Sequence, residues 1–162
     1  MKVTNIVDED FVNYKKPSMF IGTCYCDFKC CTEAGIPISV CQNAALASVP
    51  PIDIPDERIL ERYRKNSITR AVVVGGMEPL LQFGELVHLL HTFRGGNVND
   101  DFVIYTGYRE EEVPQLIREL SYLSPVIVKF GRFIPNDIPK FDDVLGITLA
   151  SSNQYGKILH RF

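Results

Sequence analysis

Short apolar runs recur along the chain, and most of them are rich in β-branched residues. The run "ITRAVVVGG" at 68–76, for example, is apolar without strict alternation and ends at a glycine pair. Such a run is typical of a strand that is buried on both faces, as in a parallel sheet. The pattern predicts strands at residues 18–23, 68–76, 100–108, 124–133 and 143–150.

Segments with the spacing of helices separate these strands. A helix is predicted to start with Asp56 as its N-cap, and another at 109–123 has acidic residues near its start, as the helix dipole favours. A third, at 78–96, carries apolar residues every three or four positions, namely Leu80, Phe83, Val87, Leu90 and Phe93. Strands that alternate with helices indicate βαβ units, a parallel sheet and right-handed crossovers.

Composition and charge narrow the class of protein. The chain has 162 residues, of which 46% are hydrophobic and 23% charged, and its net charge is −3. This length predicts one domain, and the missing basic patch argues against nucleic-acid binding. No apolar stretch reaches the ~20 residues of a membrane helix, and the acidic start does not resemble a signal peptide. The sequence therefore predicts a cytoplasmic protein without nucleic-acid or membrane partners.

All the cysteines fall within residues 24–41. Four lie in "GTCYCDFKCC" at 22–31, and the fifth is Cys41. In a reducing compartment such a group more often binds metal than forms disulfides. Structural zinc prefers paired C-x-x-C knuckles, which this stretch does not contain, whereas thiolates are the usual ligands of iron–sulfur clusters. An iron–sulfur cluster is the favoured prediction, with zinc or inert buried cysteines as alternatives.

The most unusual motifs follow the predicted strands. The cysteines come after the first strand and the pair Gly75-Gly76 ends the second, while "YTGY" at 105–108 and "FGRF" at 130–133 end the next two. Ligands of α/β folds bind outside the carboxyl ends of the strands. We therefore expect these four motifs to share one edge of the sheet and to form a ligand site there.

Together these motifs resemble the radical S-adenosylmethionine (SAM) superfamily. "CDFKC" followed by "VCQN" is similar to a stretched form of its C-x-x-x-C-x-x-C signature, and "VVVGGMEP" is similar to its Gly-Gly-Glu-Pro motif. "FVIYTGY", "GRFIP" and "ASSNQ" resemble the small activating enzymes of anaerobic ribonucleotide reductase, and the resemblance covers about residues 18–158. It implies an α/β fold in a single domain over 1–162, an open partial (β/α) barrel with residues 1–17 as an N-terminal extension.

The resemblance implies three cysteine ligands for a cluster. Cys26 and Cys30 have the family's spacing, but Glu33 stands where the third cysteine is due. We interpret "CTEAGIPIS" as an insertion that moves the third ligand to Cys41, so that residues 24–41 form the cluster-binding loop.

Two further cysteines leave the ligand set open. Cys24 or Cys31 could replace one of the three ligands, and the sequence does not decide between them. A four-iron cube with three thiolate ligands leaves one iron without a protein ligand, and in the family the amino and carboxylate groups of SAM bind that iron. The implied cofactors are therefore a 4Fe-4S cluster and SAM, and no catalytic residue is implied beyond the cluster ligands.

The resemblance also implies which residues bind SAM. Val40 is expected to pack against the adenine, Glu78 to orient the glycine loop or accept from the amine, and Lys129 to pair with the carboxylate. Lys129 stands where the family often has an acid, and Met77 is an extra residue within the glycine motif. The predicted SAM-binding residues are Val40, Asn43, Gly75, Gly76, Met77, Glu78, Pro79, Tyr105, Thr106, Gly107, Lys129 and Asn153.

The implied activity is the reductive cleavage of SAM to a 5′-deoxyadenosyl radical under anaerobic conditions. No cysteine follows Cys41, which leaves no ligands for an auxiliary cluster and suits an activating enzyme whose partner supplies the target glycine. The implied partners are a glycyl-radical protein such as anaerobic ribonucleotide reductase and a small electron carrier such as flavodoxin or ferredoxin. The alternatives are a non-catalytic cluster- or zinc-binding module of the same fold, and a radical SAM enzyme with another substrate.

Overall fold

Six strands form one mixed sheet in the computed structural model, which describes residues 1–161. The helices are α1 (Lys29–Ala34), α2 (Asp56–Lys65), α3 (Phe83–Gly95) and α4 (Pro114–Ser121), with short 3-10 helices at Ile38–Val40, Ala44–Ser48, Pro79–Gln82 and Glu110–Glu112. The strands are β1 (Lys2–Val3), β2 (Asn5–Asp10), β3 (Ser18–Thr23), β4 (Ile52–Asp53), β5 (Ala71–Gly76), β6 (Asp101–Tyr105), β7 (Val126–Phe130), β8 (Lys140–Asp142), β9 (Ile147–Leu149) and β10 (Tyr155–Leu159).

The strand order of the main sheet is β10-β7-β6-β5-β3-β2. Its four central strands, β3, β5, β6 and β7, run parallel, which confirms the arrangement predicted for them. The edge strands β2 and β10 are antiparallel to their neighbours. Within residues 1–161 these two edges do not pair with each other, so the sheet is open. All four central strands therefore end at the same edge, which is where the predicted motifs lie.

The two faces of the sheet are covered by different elements. Side chains alternate along each strand, so Val72 and Val74 point to one face while Ala71 and Val73 point to the other. Helices α2, α3 and α4 pack on the first face and bury the larger core. The opposite face is covered by the hairpin of β8 and β9 together with Tyr14, which form a second, smaller core. Each large aliphatic side chain buried in this way contributes ~1.5–3 kcal/mol.

Three secondary-structure predictions are wrong in detail. Residues 143–150 do not add a strand to the parallel sheet, because β8 and β9 form a separate hairpin there with Gly146 in its turn at φ 71°. The edge strand β10 was not predicted, and it pairs antiparallel with β7 at one edge of the sheet. Asp56 does not cap α2 but lies in its first turn, where its carboxylate oxygen is 2.7 Å from His88 Nδ1.

Residues 1–17, predicted as an N-terminal extension, supply β1 and the edge strand β2. Tyr14 from the same segment is buried in the second core, and its hydroxyl donates to Asp101 at 2.9 Å.

None of the helices formed by residues 1–161 combines the length and the apolar character needed to cross a bilayer. The partial barrel remains a prediction, and the observed architecture is an open mixed sheet with helices on one face.

Candidate metal centre and cofactor cavity

Three cysteine sulfurs come together beside the carboxyl end of β3. The Sγ atoms of Cys30, Cys31 and Cys41 lie within 4.8 Å of one another, and those of Cys30 and Cys31 are 3.9 Å apart. The first two are neighbours in the short helix α1, and the third follows the 3-10 helix Ile38–Val40. Phe28 before α1 and Gly35 after it both have left-handed backbone conformations, with φ 52° and 64°. A non-glycine residue in this conformation is uncommon and often marks a functional loop.

A cavity of about 420 Å³ opens next to these sulfurs. Cys26, Cys30 and Cys41 line it, whereas Cys24 and Cys31 are buried and are not part of its lining. The other walls include the ends of β5, β6 and β7, which contribute Gly76, Met77, Glu78, Tyr105, Thr106, Gly107 and Lys129. Asn43 lines the cavity as well. The motifs that follow separate strands therefore surround a single space.

Two cysteine sets overlap at this site. The predicted set of Cys26, Cys30 and Cys41 lines the cavity, while the tightest group of sulfurs has Cys31 in place of Cys26. The Cys26 sulfur instead accepts a hydrogen bond from Phe28 N at 3.3 Å. Cys30 and Cys41 belong to both sets. The open question is therefore whether Cys26 or Cys31 is the third ligand beside Cys30 and Cys41.

The donors in this group fit an iron–sulfur cluster better than structural zinc. Burial raises the pKa of Cys26 and of Cys30 to about 11, so both thiols are protonated at neutral pH and metal binding must release those protons. Structural zinc sites are closed by four ligands, and the group in the described part of the chain offers three, all of them sulfur. Thiolates are soft ligands that suit a cluster.

Glu78 joins the ends of two strands at the floor of the cavity. The carboxylate is buried, and it accepts hydrogen bonds from Leu80 N at 3.1 Å, Thr106 Oγ1 at 2.8 Å and Gly107 N at 2.8 Å. Burial raises the pKa of Glu78, although these three donors act in the opposite direction. The loop after β5 is thereby fixed to the loop after β6.

Lys129 places a cation inside the cavity wall. The side chain is 7% exposed, and Nζ donates to the carbonyl oxygen of Gly131 at 2.9 Å. Burial lowers the pKa of Lys129 to about 8, against the opposing influence of Glu78 and Cys30. No other hydrogen bond of this Nζ is formed among residues 1–161, and the residue lines the cavity. An ammonium group has three donors, so two remain for a ligand with a negative charge.

The backbone conformation at two strand ends requires glycine. Gly76 has φ 86°, and Gly131 has φ 98°, a region that side-chain-bearing residues rarely adopt. A Cβ atom on Gly131 would lie 2.9 Å from a backbone oxygen of Asn153. On Gly76 it would lie 3.4 Å from Gly22 Cα. Both turns bring the main chain to the cavity surface, which both glycines line.

Four of the predicted SAM-binding residues lie outside the cavity lining. Val40 is 48% exposed in its 3-10 helix, and Gly75 is packed inside β5. Pro79 is buried where the 3-10 helix before α3 begins. The Asn153 side chain donates to a backbone oxygen after β7 at 3.0 Å. The roles given to these four residues therefore stay predictions that the cavity does not support.

Polar residues outside the predicted SAM-binding set also line the cavity. Gln154 lines the cavity and is 6% exposed, and its amide donates to Gly131 O at 3.2 Å. It follows Asn153 in "ASSNQ", so this motif contributes to the cavity lining through Gln154. Asn13 also lines the cavity, and its carbonyl oxygen accepts from the Tyr105 hydroxyl. No local signal in residues 1–17 indicated this contact.

The comparison with protein families agrees with the chemistry of the cysteines. A model of a family described as a 4Fe-4S single cluster domain matches residues 18–146. The matched region contains all five cysteines and the ends of the four parallel strands. Searches among curated proteins and among solved structures gave no significant match.

Proposed function

The chain belongs to the 4Fe-4S single cluster domain family, and from that premise we propose that it is a radical SAM enzyme. The observation that carries the proposal is a cavity of about 420 Å³ whose lining combines three cysteines with the ends of β5, β6 and β7. A 4Fe-4S cluster is proposed to be held by Cys26, Cys30 and Cys41, with SAM in the remaining space. When bound, such a cluster supplies the electron that cleaves SAM into methionine and a 5′-deoxyadenosyl radical.

The chain's own residues bind and orient SAM in this proposal. Lys129 directs its two remaining ammonium donors at the carboxylate of the methionine moiety, which is a charge-assisted contact in a buried site. The backbone at Gly76 approaches the amino group of SAM, because no side chain intervenes there. Glu78 keeps this backbone in position through its bonds to the loop after β6. Met77 adds an apolar contact.

The proposed target of the radical belongs to a partner protein. The cavity has the size of a site for one cofactor-sized molecule, so SAM leaves little room for a second small molecule. A hydrogen atom can then be taken only from a group that enters from outside, such as a glycine on a projecting loop. We propose a glycyl-radical protein of the anaerobic ribonucleotide reductase kind as this partner. The electron comes from a small carrier such as flavodoxin or ferredoxin.

A second candidate function is favoured by the position of Cys31. Its sulfur belongs to the group within 4.8 Å that includes Cys30 and Cys41. If Cys31 ligates a cluster together with Cys26, Cys30 and Cys41, every iron has a protein ligand and none is open to SAM. The protein is then a non-catalytic cluster-binding module, or a zinc-binding one. The two candidates differ in whether SAM binds at the cluster.

Replacing Lys129 by methionine tests the cavity as a SAM site. We expect the reconstituted Lys129→Met variant to bind SAM about 10- to 100-fold more weakly, because a hydrogen-bonded charge pair is lost. The ammonium form of Lys129 is the binding form and its pKa is about 8. In the parent protein the affinity should therefore decrease as pH rises above about 8, by up to tenfold per pH unit.

Calorimetry across pH 7 to 10 measures both effects. Lys129→Met serves as the reference, because it keeps the other groups whose titration could change the affinity. These are the groups of SAM itself and Glu78, Cys30 and Tyr105, which lie around the Lys129 ammonium group. Lys140→Met, at an exposed lysine of β8, is the matched control and should bind SAM like the parent protein. Equal affinities in the parent protein and in Lys129→Met would remove Lys129 from the site.

A further inference from the structure

Glu33 occupies the position where the radical SAM motif has its third cysteine, and its side chain forms two ion pairs. Its Oε2 accepts from Arg109 Nη2 at 2.8 Å, and its Oε1 lies 3.2 Å from Arg132 Nη2. Both carboxylate oxygens are therefore paired with guanidinium groups. Glu33 lies in α1, three residues after Cys30, so the two side chains share one face of that helix.

Arg132 continues this network into the sheet. It follows β7, its side chain is 5% exposed, and its two Nη atoms each donate to Glu112 at 2.7 Å. Glu112 lies after β6 and also accepts from Arg109 N at 2.8 Å. The Arg132 guanidinium lowers the pKa of Glu112 to about 2, so this pair stays charged at neutral pH. The helix that carries Cys30 is thereby tied to the segments that follow two parallel strands.

The start of the same loop is held by a second set of contacts. Tyr108 donates from its hydroxyl to Asp27 at 2.7 Å, and Lys29 Nζ lies 4.6 Å from the centre of the Tyr108 ring. Cys30 therefore lies between two anchored positions, at Asp27 and at Glu33. The remaining freedom of the Cys30 sulfur is small compared with that of an unanchored surface loop.

One donor of Arg132 is not used by this network. Its Nε is buried and has no hydrogen-bond partner among residues 1–161. A buried donor without a partner costs about 1–3 kcal/mol, and such a group often has an ion or ligand as its missing acceptor. A cluster bound at Cys30 would bring sulfur acceptors to the face of α1 that also carries Glu33, the residue that Arg132 contacts.

We propose that Arg132 is a positioning residue for the cluster, which fixes α1 through Glu33 and keeps its Nε–H for a sulfur acceptor of the bound cluster. The proposal rests on the proposed function only in placing a cluster at Cys30, and it does not require SAM cleavage. Hydrogen bonds to the sulfurs and nearby net charge are among the factors that set the potential of a cluster. Arg132 is therefore expected to affect both the order of the loop and the reduction potential.

Two variants are expected to shift the reduction potential of the cluster in opposite directions while both make the loop around α1 less ordered. A merely structural role of Arg132 would not produce opposite shifts. Arg132→Met removes one positive charge and the Nε–H donor, so the cluster potential should become more negative. Glu33→Gln removes one negative charge, so the potential should become less negative. Both variants loosen α1, so the amides of residues 28–36 should exchange with solvent several-fold faster in both. Arg118→Met, at an exposed arginine of α4, is the matched control and should change neither quantity.

The potential is measured by redox titration of the reconstituted proteins, and the exchange is measured on the proteins without iron. Potentials that shift in the same direction in both variants, or exchange rates equal to those of Arg118→Met, overturn the proposal. If Arg132→Met does not fold, Glu33→Gln decides, because the Glu33 side chain is 42% exposed and its replacement should be tolerated. The expected shifts without SAM cleavage would contradict the proposed function and leave the role of Arg132 intact.

Discussion

Replacement of Cys30 by alanine is expected to abolish assembly of the cluster. Cys30 belongs both to the predicted ligand set and to the tightest group of sulfurs, so neither arrangement survives without it. The parent protein should hold about four irons and four sulfides per chain after anaerobic reconstitution, with the broad visible absorption of a cluster. The variant should hold almost none. Iron and sulfide analysis with absorption spectroscopy measures the loss.

Three companion variants separate the possible ligand sets. For the proposed ligand set, we expect Cys26→Ala to lose the cluster and Cys31→Ala to retain it. The reverse pattern would assign the site to Cys30, Cys31 and Cys41. Cys24→Ala is the control, because this residue is buried outside the cavity. A full cluster in Cys30→Ala would contradict both sets, and stoichiometric zinc without iron in the parent protein would contradict the cluster itself.

Replacement of Glu78 by alanine should reduce both stability and SAM binding. The change leaves Leu80 N, Thr106 Oγ1 and Gly107 N without their acceptor. We expect the free energy of unfolding to decrease by about 2–4 kcal/mol, since each unsatisfied buried donor costs about 1–3 kcal/mol and water from the cavity offsets part of it. SAM binding should be lost, because the loops after β5 and β6 are no longer joined.

Chemical denaturation measures the change in stability, and calorimetry on the folded variant measures SAM binding. Glu61→Ala is a matched control, because the pair that its carboxylate forms with Arg58 on α2 is exposed to solvent. That change should cost less than about 1 kcal/mol. An effect of Glu78→Ala no larger than that of Glu61→Ala would show that the buried contacts of Glu78 do not hold the cavity together.

The central strands could be predicted because their signal is local. β5, β6 and β7 lie inside the predicted runs 68–76 and 100–108 and the run that starts at 124, since strands buried on both faces need uninterrupted apolar residues. β10 has no such run, because it is an edge strand with one face partly exposed. The error at 143–150 has another cause. A hairpin of short strands and a strand of the main sheet can have the same composition, so the local sequence does not distinguish them.

The site could be predicted as far as it depends on strand ends. Gly76, Glu78, Thr106 and Lys129 lie together because parallel strands place their carboxyl ends side by side. Positions that depend on the path of a long loop could not be derived in this way. The approach of Cys31 to Cys41, for example, is set by the conformation of α1 and the 3-10 helix after it.

The proposed partner has a measurement of its own. Reduced protein with SAM and an anaerobic ribonucleotide reductase should produce a stable organic radical on the reductase, visible by electron paramagnetic resonance. Cleavage of SAM without this radical on the candidate reductases would keep the radical SAM activity and exclude these partners.

The release of 5′-deoxyadenosine is the most direct test of the proposed radical SAM activity. The reconstituted protein is reduced under anaerobic conditions and mixed with SAM, and the products are quantified by chromatography. We expect methionine and 5′-deoxyadenosine in equal amounts, formed only with reductant and not by Cys30→Ala. Without a partner the yield should be low, because the radical lacks its target hydrogen atom. An intact reduced cluster that binds SAM and releases neither product would contradict the proposed radical SAM activity.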